Sequence, residues 1–161
     1  MTRRSAGLLM YRIREGAFEF FLVHPGGPFF AKKTHGVWSI PKGEFGAGED
    51  PLDAARREFS EETGQSPERC GAGEMIALGS IRQAGGKIVE AWGFEGDWPE
   101  GATFESNTFL LEWPRGSGKR RAVPEVDEGR FFADAEARLR IKDTQIPLLD
   151  RLIAHVIERS P

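Results

Sequence analysis

The chain has 161 residues, 39% of them hydrophobic and 29% charged, which suits a globular domain with a sizeable core. Its formal net charge of −3 excludes a general nucleic-acid or other polyanion binder, so any grip on phosphate must come from local placement or from metal. The one cysteine, Cys70, excludes an internal disulfide and fits a reducing cytoplasm. No apolar run approaches the roughly 18 residues of a membrane span. The opening segment carries Arg3 and Arg4, but its apolar stretch is too short for a signal peptide. With no repeat, low-complexity tract or composition shift, residues 1–161 read as a single domain.

Residues 6–13 form an apolar run expected as a buried strand, and residues 18–23 its hairpin partner, turning at residues 14–17. A long loop rich in glycine and proline follows from His24 to Gly36, and loops of that length tend to carry function. Residues 37–40 predict a short strand, after which Pro41, Lys42 and Gly43 lead into a glycine-rich loop and a helix. Beyond a turn at residues 69–73, strands are expected over 74–83 and 87–96, joined by Ala84-Gly85-Gly86. Further strands are expected over 108–113 and 129–132, with Gly118-Lys-Arg-Arg121 read as a solvated loop between them. A short helix is expected over 134–140. The amphipathic spacing of Ile146, Leu149, Leu152, Ile153 and Val156 predicts a last helix over 144–160, with Pro147 in its first turn. Together these elements predict an α+β (mixed α/β) sandwich.

The most informative stretch is residues 43–65. Asp50 is a good N-cap, Pro51 suits the first helical position, Asp53 places an acid in the first turn, and Gly64 is a natural terminator. Leu52, Ala55 and Phe59 make the apolar stripe. Glu58, Glu61 and Glu62 fall at i, i+3 and i+4 within an arc of about 100°, to one side of that stripe, so they should sit at the rim of the core. Like charges so spaced weaken a helix by a few tenths of a kcal/mol per pair, which points to cation binding as their use. Ala54, small and beside Glu58 and Glu61, is read as leaving room for an ion, and Arg57 as pairing with Glu61 or bracing the helix against the loop.

Gly43, Glu49, Arg57, Glu58, Glu61, Glu62 and Gly64, with Phe59 between Glu58 and Ser60, resemble the Nudix box at its full spacing. Seven such residues coincide by chance on the order of once in 10⁸ windows. Gln65 departs from the box, which usually has an aliphatic residue there; that touches packing after the helix. Upstream, Trp38-Ser-Ile-Pro-Lys-Gly-Glu44 resembles the approach to the box in diadenosine polyphosphate hydrolases and related bacterial pyrophosphohydrolases. The resemblance implies a Nudix-type α/β/α sandwich, a curved mixed sheet between helices with the box loop and helix on one sheet edge. It implies hydrolysis of a pyrophosphate bond in a nucleoside diphosphate linked to another moiety. Dinucleoside polyphosphates or nucleoside triphosphates are favoured, and nucleotide sugars are also open.

Helix-borne carboxylates open to a cleft suit two or three Mg²⁺ or Mn²⁺ ions, hard cations that keep waters and bind phosphates. The histidines and single cysteine show no zinc spacing, and the acids do not lie in a calcium-binding loop of the EF type. The metal ligands are expected to be Glu58, Glu61 and Glu62 with a backbone carbonyl of Lys42 or Gly43. Glu125 and Glu112 are candidate extra acids from outside the box. Glu62 is the first choice of general base, grouped with Glu58 and Arg57 as the catalytic set, whereas Glu49 is read as loop-to-helix structure. Candidate substrate contacts are Lys42, Lys33, Arg82, Lys87 and Phe30, with Lys32 a further phosphate contact; Phe29, Phe30, Trp92 and Trp113 could stack a base, but core packing is the commoner fate, particularly for Trp92 within a strand. His24 and His35 are read as loop structure. The expected partner is a nucleotide-type small molecule; a homodimer stays open, as does a Nudix-fold sensor that binds a nucleotide without turning it over.

Overall fold

A computed structural model describes residues 3–159, and Ser160, the expected end of the last helix, lies outside the described residues, as does Met1. The strands are β1 (Arg4–Arg14), β2 (Ala17–Pro25), β3 (Lys42–Glu44), β4 (Ile76–Arg82), β5 (Ile88–Glu95), β6 (Thr108–Glu112), β7 (Arg120–Pro124) and β8 (Val126–Ala133). The helices are α1 (Pro51–Thr63), α2 (Asp134–Arg140) and α3 (Ile146–Arg159). The main sheet runs β4-β5-β1-β2-β8, with β3 also paired to β1. Among the described residues only the β1–β5 pair within it is parallel, so the sheet is mixed.

Strand β1 explains the layering. Its side chains alternate across the sheet. Ala6, Leu8 and Met10 enter one core cluster with Ala54, Ala55 and Phe59 of α1. Leu9 and Tyr11 enter the other with Ala137 of α2 and Leu148, Leu149 and Leu152 of α3. Both faces of the sheet are therefore covered, giving the expected α/β/α sandwich. Helix α1 lies across a face over β1, β3 and β5 instead of along an edge. Phe59 is fully buried and meets Phe94 edge-on at 5.6 Å, a contact that fixes the helix on the sheet.

One edge of β1 is shared. Strand β2 pairs with residues 11–14 and β3 with Ser5, Ala6 and Gly7. Between them the chain from Trp38 to Glu44 wedges in: Val23 and Ser39 exchange hydrogen bonds of 2.8 and 3.0 Å, and the Leu8 amide donates to the Pro41 carbonyl at 3.1 Å. The expected strand at residues 37–40 is thus only two isolated bridges, at Trp38 and Ser39. The regular pairing comes one step later, at Lys42–Glu44, where the sequence suggested loop. Strand β7 is a second correction: Arg120 and Arg121 lie in a hairpin with β6, separate from the main sheet, and not in a loop. The last helix begins at Ile146, after a short 3₁₀ turn over Asp143–Gln145. Among the described residues no helix is long and apolar enough to cross a membrane.

Candidate functional site

Local sequence sets the box helix as expected. The Asp53 amide donates to the Asp50 carboxylate at 3.1 Å, and Gly64 ends the helix at φ 80°, a left-handed backbone that suits glycine. Gln65 is buried, and its side-chain Nε2 donates to the Thr103 carbonyl at 3.1 Å, so the departure from an aliphatic residue ties the helix end to the next loop. Ala54 is a correction. It is fully buried in the core beside Ala55 and Phe59, so it offers no room for an ion; the docked face of the helix is wider than its apolar stripe.

Space for the carboxylates comes from Gly43 instead. A Cβ at this position would fall 2.1 Å from the carboxyl carbon of Glu58. The wedge between β1 and β2 brings Lys42 and Gly43 against α1, and the Lys42 amide donates to a Glu62 carboxylate oxygen at 3.4 Å. On the outer side of the helix, Arg57 gathers three acids. Its Nε and Nη2 donate to the two oxygens of Glu49 at 2.8 and 3.0 Å, and its Nη1 donates to Glu58 at 2.8 Å and Glu61 at 3.2 Å. These bonds, those to Glu49 above all, hold the guanidinium far above its usual range and Glu49 below the usual carboxylate range. Glu49 thus joins loop to helix, as expected. Burial raises the Glu58 carboxyl, with Arg57 opposing.

The inner side differs. Lys42, Glu62, Glu125 and Lys142 line a recess of about 160 Å³ with Val23, Ser39 and Ile40. Burial pushes Glu62 up to about 8, against the nearby charge of Lys42. Burial also pushes Lys42 down to about 8, helped by the charges of Lys142 and Lys87, and it lowers Lys142. A larger groove of about 770 Å³ lies at Tyr11–Ile13 and Glu95–Asp97, the far end of β1 from Gly7 and Lys42. The recess holds the box chemistry; the larger groove does not.

Glu125 is therefore brought to the box acids, and Glu112 is not. Glu112 sits four residues up the β6–β7 hairpin from its root at Thr108, about 13 Å along the strand. There its carboxylate accepts from the Gly116 amide at 2.7 Å. The hairpin root itself touches the box: the Asn107 amide donates to the Glu61 carbonyl at 2.8 Å and the Glu125 amide to the Asn107 carbonyl at 2.9 Å. Lys87 is not part of the recess lining, though its charge lowers Lys42, whereas Arg82 reaches back to the Gly86 carbonyl of its own turn at 3.4 Å. Lys33 Nζ stands 3.8 Å from the centre of the Phe29 ring and 5.6 Å from that of Phe30. Phe29 and Trp113 are exposed, and Trp92 packs against the core. His24 bonds to Asp127 at 2.8 Å and to the Lys33 carbonyl at 2.6 Å, so it fixes the loop. Lys142 carries no sequence signal: a lone lysine in a turn, in no motif.

The donor set is all oxygen, which fits a hard divalent cation, and the glycine cradle at Gly43 leaves the Glu58 carboxylate uncrowded. Among the described residues no three acidic, histidine or cysteine side chains are drawn together as a chelating group, and Arg57 Nη1 donates to both Glu58 and Glu61.

A family model for the NUDIX domain matches residues 1–152. The fold is similar to that of an Ap4A hydrolase from C. elegans in a binary complex, with 23% identity, a TM-score of 0.64, and 98% of this chain and 99% of that chain covered. It is also similar to the NUDIX domain of Shewanella oneidensis NrtR complexed with ADP ribose, at 12% identity and TM-score 0.66, covering 97% of this chain and 89% of that one. A MutT protein from Methanosarcina mazei Go1 aligns at 18% identity and TM-score 0.56, over 96% and 95% of the two chains. No curated protein sequence matches significantly.

Proposed function

Because the chain belongs to the Nudix family of pyrophosphohydrolases, we propose that it hydrolyses a pyrophosphate bond in a nucleoside diphosphate linked to another moiety, by attack of water on phosphorus at the α1 carboxylate face. The observation that carries this reading is the pairing of Gly43 with Glu58: a glycine whose missing side chain is the space of a carboxylate on the facing helix. Glu58, Glu61 and Glu62, with Glu125 and a carbonyl of Lys42 or Gly43, would hold Mg²⁺ or Mn²⁺. A cation there supplies positive charge against the phosphate oxygens.

The chain's own groups do the rest. Arg57 holds Glu49, Glu58 and Glu61 in one array and so sets the spacing of the carboxylates. Burial raises the Glu62 carboxyl in the metal-free site, against the charge of Lys42, and a cation at the face would favour its ionised, proton-accepting form. It takes the proton of the attacking water. Lys42 faces the same recess and binds the phosphate chain. The Ap4A hydrolase and the ADP-ribose complex among the similar folds support a nucleotide-type substrate.

The test is a panel of dinucleoside polyphosphates, nucleoside triphosphates and nucleotide sugars with Mg²⁺ in ¹⁸O-labelled water. Metal-dependent products carrying the label on a phosphate support the reading. Tight nucleotide binding with no product from any substrate would replace it with the non-catalytic sensor.

A further inference from the structure

The groove of about 770 Å³ opens where α3 stops covering the sheet. Residues paired across the parallel strands β1 and β5 share a face. Leu9 pairs with Gly93 and Tyr11 with Glu95, so Glu95 extends the row of Val89, Ala91 and Gly93 that turns toward α3. Over Gly93 the helix is close: a Cβ there would fall 2.7 Å from Leu152 Cδ1. Two residues farther along both strands the row ends in a tyrosine beside a carboxylate. The groove lies between that pair and the last turn of α3, at Val156 and Arg159.

Two groups of the groove have no partner among the described residues. Tyr11, the one tyrosine of the chain, is only 6% exposed, yet its hydroxyl makes no hydrogen bond there and opens on the groove. A buried tyrosine hydroxyl usually finds a partner. The Glu95 carboxylate likewise forms neither an ion pair nor a hydrogen bond among the described residues. The remaining charges are taken. Arg12 donates to Glu19 and to Asp97, each at 2.7 Å, Asp97 also accepts from Arg14 at 3.3 Å, and Arg159 pairs with Glu74. His155 Nε2 lies 3.3 Å from Arg159 Nη1, and since a guanidinium only donates, that nitrogen accepts. Among the described residues the groove thus offers an anion no free guanidinium, and it keeps one free carboxylate. Burial raises the Tyr11 phenol, and the charges of Glu95 and Glu74 raise it further against Arg159, so the hydroxyl stays neutral beside negative charge.

We propose that this groove binds an organic cation, an ammonium or guanidinium group on an alkyl stem, at a site separate from the carboxylate face of α1. The charged head sits against the Glu95 carboxylate and donates to the Tyr11 hydroxyl oxygen. The stem lies along Ile13, Ile76 and Val156, the apolar wall of the same groove. Such a ligand brings donors for two unpartnered acceptors and methylenes for the wall. A bare divalent ion would need several oxygen ligands where one carboxylate is free. The C-terminal end of α3 adds the negative pole of a helix dipole, which favours a cation. None of these groups belongs to the box, so the site stands whether or not the pyrophosphohydrolase reading does. The same head is carried by free small amines and guanidines and by lysine or arginine side chains, and the test separates these sources.

The single tyrosine supplies the readout. Protein labelled with [ζ-¹³C]tyrosine gives one ring resonance, followed by NMR as n-butylguanidinium is added. Wild type should show a saturable shift, half complete at about 1 mM or below. The uncharged isostere n-butylurea should give none. Glu95→Gln should weaken n-butylguanidinium about tenfold and Tyr11→Phe, followed by calorimetry, about threefold, both with the circular dichroism of wild type. Glu62→Gln, in the recess, should bind it as wild type does. A blocked peptide, acetyl-Gly-Arg-Gly-amide, that binds at least as tightly upholds the site and gives it to a protein side chain; weaker binding upholds it for a free small molecule. The proposal is overturned by no shift up to about 10 mM n-butylguanidinium, by an equal shift with n-butylurea, by wild-type affinity in Glu95→Gln, or by loss of binding in Glu62→Gln.

Discussion

The two sides of α1 hold their acids in opposite ways. On the outer side one guanidinium serves Glu49, Glu58 and Glu61, all within hydrogen-bonding distance. On the inner side Glu62 faces Lys42 and Lys142 across a small recess and forms an ion pair with neither among the described residues. The outer array is internally satisfied, so it keeps its geometry without a ligand. The inner one carries a carboxyl raised to about 8 and a lysine lowered to about 8, both by burial. Charge left unpaired in a half-buried recess is stored affinity, and the contrast puts the proton acceptor on the inner side and the spacing of Glu58 and Glu61 under Arg57 on the outer.

Substitutions on each side should separate these roles. Glu62→Gln keeps shape and removes the proton acceptor, so turnover with Mg²⁺ should fall about 10³-fold while circular dichroism stays that of wild type. A rate within about threefold of wild type would move the base elsewhere. Gly43→Ala puts a methyl group into the space of the Glu58 carboxylate. Turnover should drop about a hundredfold, since an ångström of misplacement costs that much, with a smaller effect on melting temperature. Arg57→Lys keeps the charge and loses the fork that spans three carboxylates, so the expected loss is about tenfold in kcat. An unchanged kcat would mean that the outer array is not needed to space the acids.

The smallest effect is on stability. The Glu62 carboxyl is raised from 4.5 to about 8, so its contribution is fully present below about 4.5 and is lost as pH rises through about 8. Metal-free wild type should therefore lose stability relative to Glu62→Gln between pH 5 and pH 8, by a few degrees in melting temperature. Parallel melting curves for the two proteins over that range would show that Glu62 is not buried as described.

Much of this was legible in the chain. The caps of α1, the bounds of α2 and the β1–β2 and β4–β5 hairpins follow from local signals: Asp50, Pro51, Gly64, alternating apolar residues and the Ala84–Gly86 turn. The box acids were marked by spacing alone. What escaped depends on long-range pairing. Lys42–Glu44 is a three-residue strand whose partner lies more than thirty residues earlier, so no periodicity reveals it. Arg120 and Arg121 look like a solvated run because β7 is exposed through most of its length. Ala54 was assigned to the ion side because one helical stripe cannot tell how widely the helix is seated. Lys142 and Gln145 stayed unmarked because their neighbours, Trp38, Ile40 and Gln83, come from distant segments.

The most direct test of a cation-holding carboxylate face is Mn²⁺ binding, followed by electron paramagnetic resonance, in wild type and in Glu58→Gln/Glu61→Gln/Glu62→Gln. Wild type should bind Mn²⁺ and the triple variant should lose that binding while remaining folded. Equal Mn²⁺ binding by the two proteins would contradict the assignment of the metal site to α1.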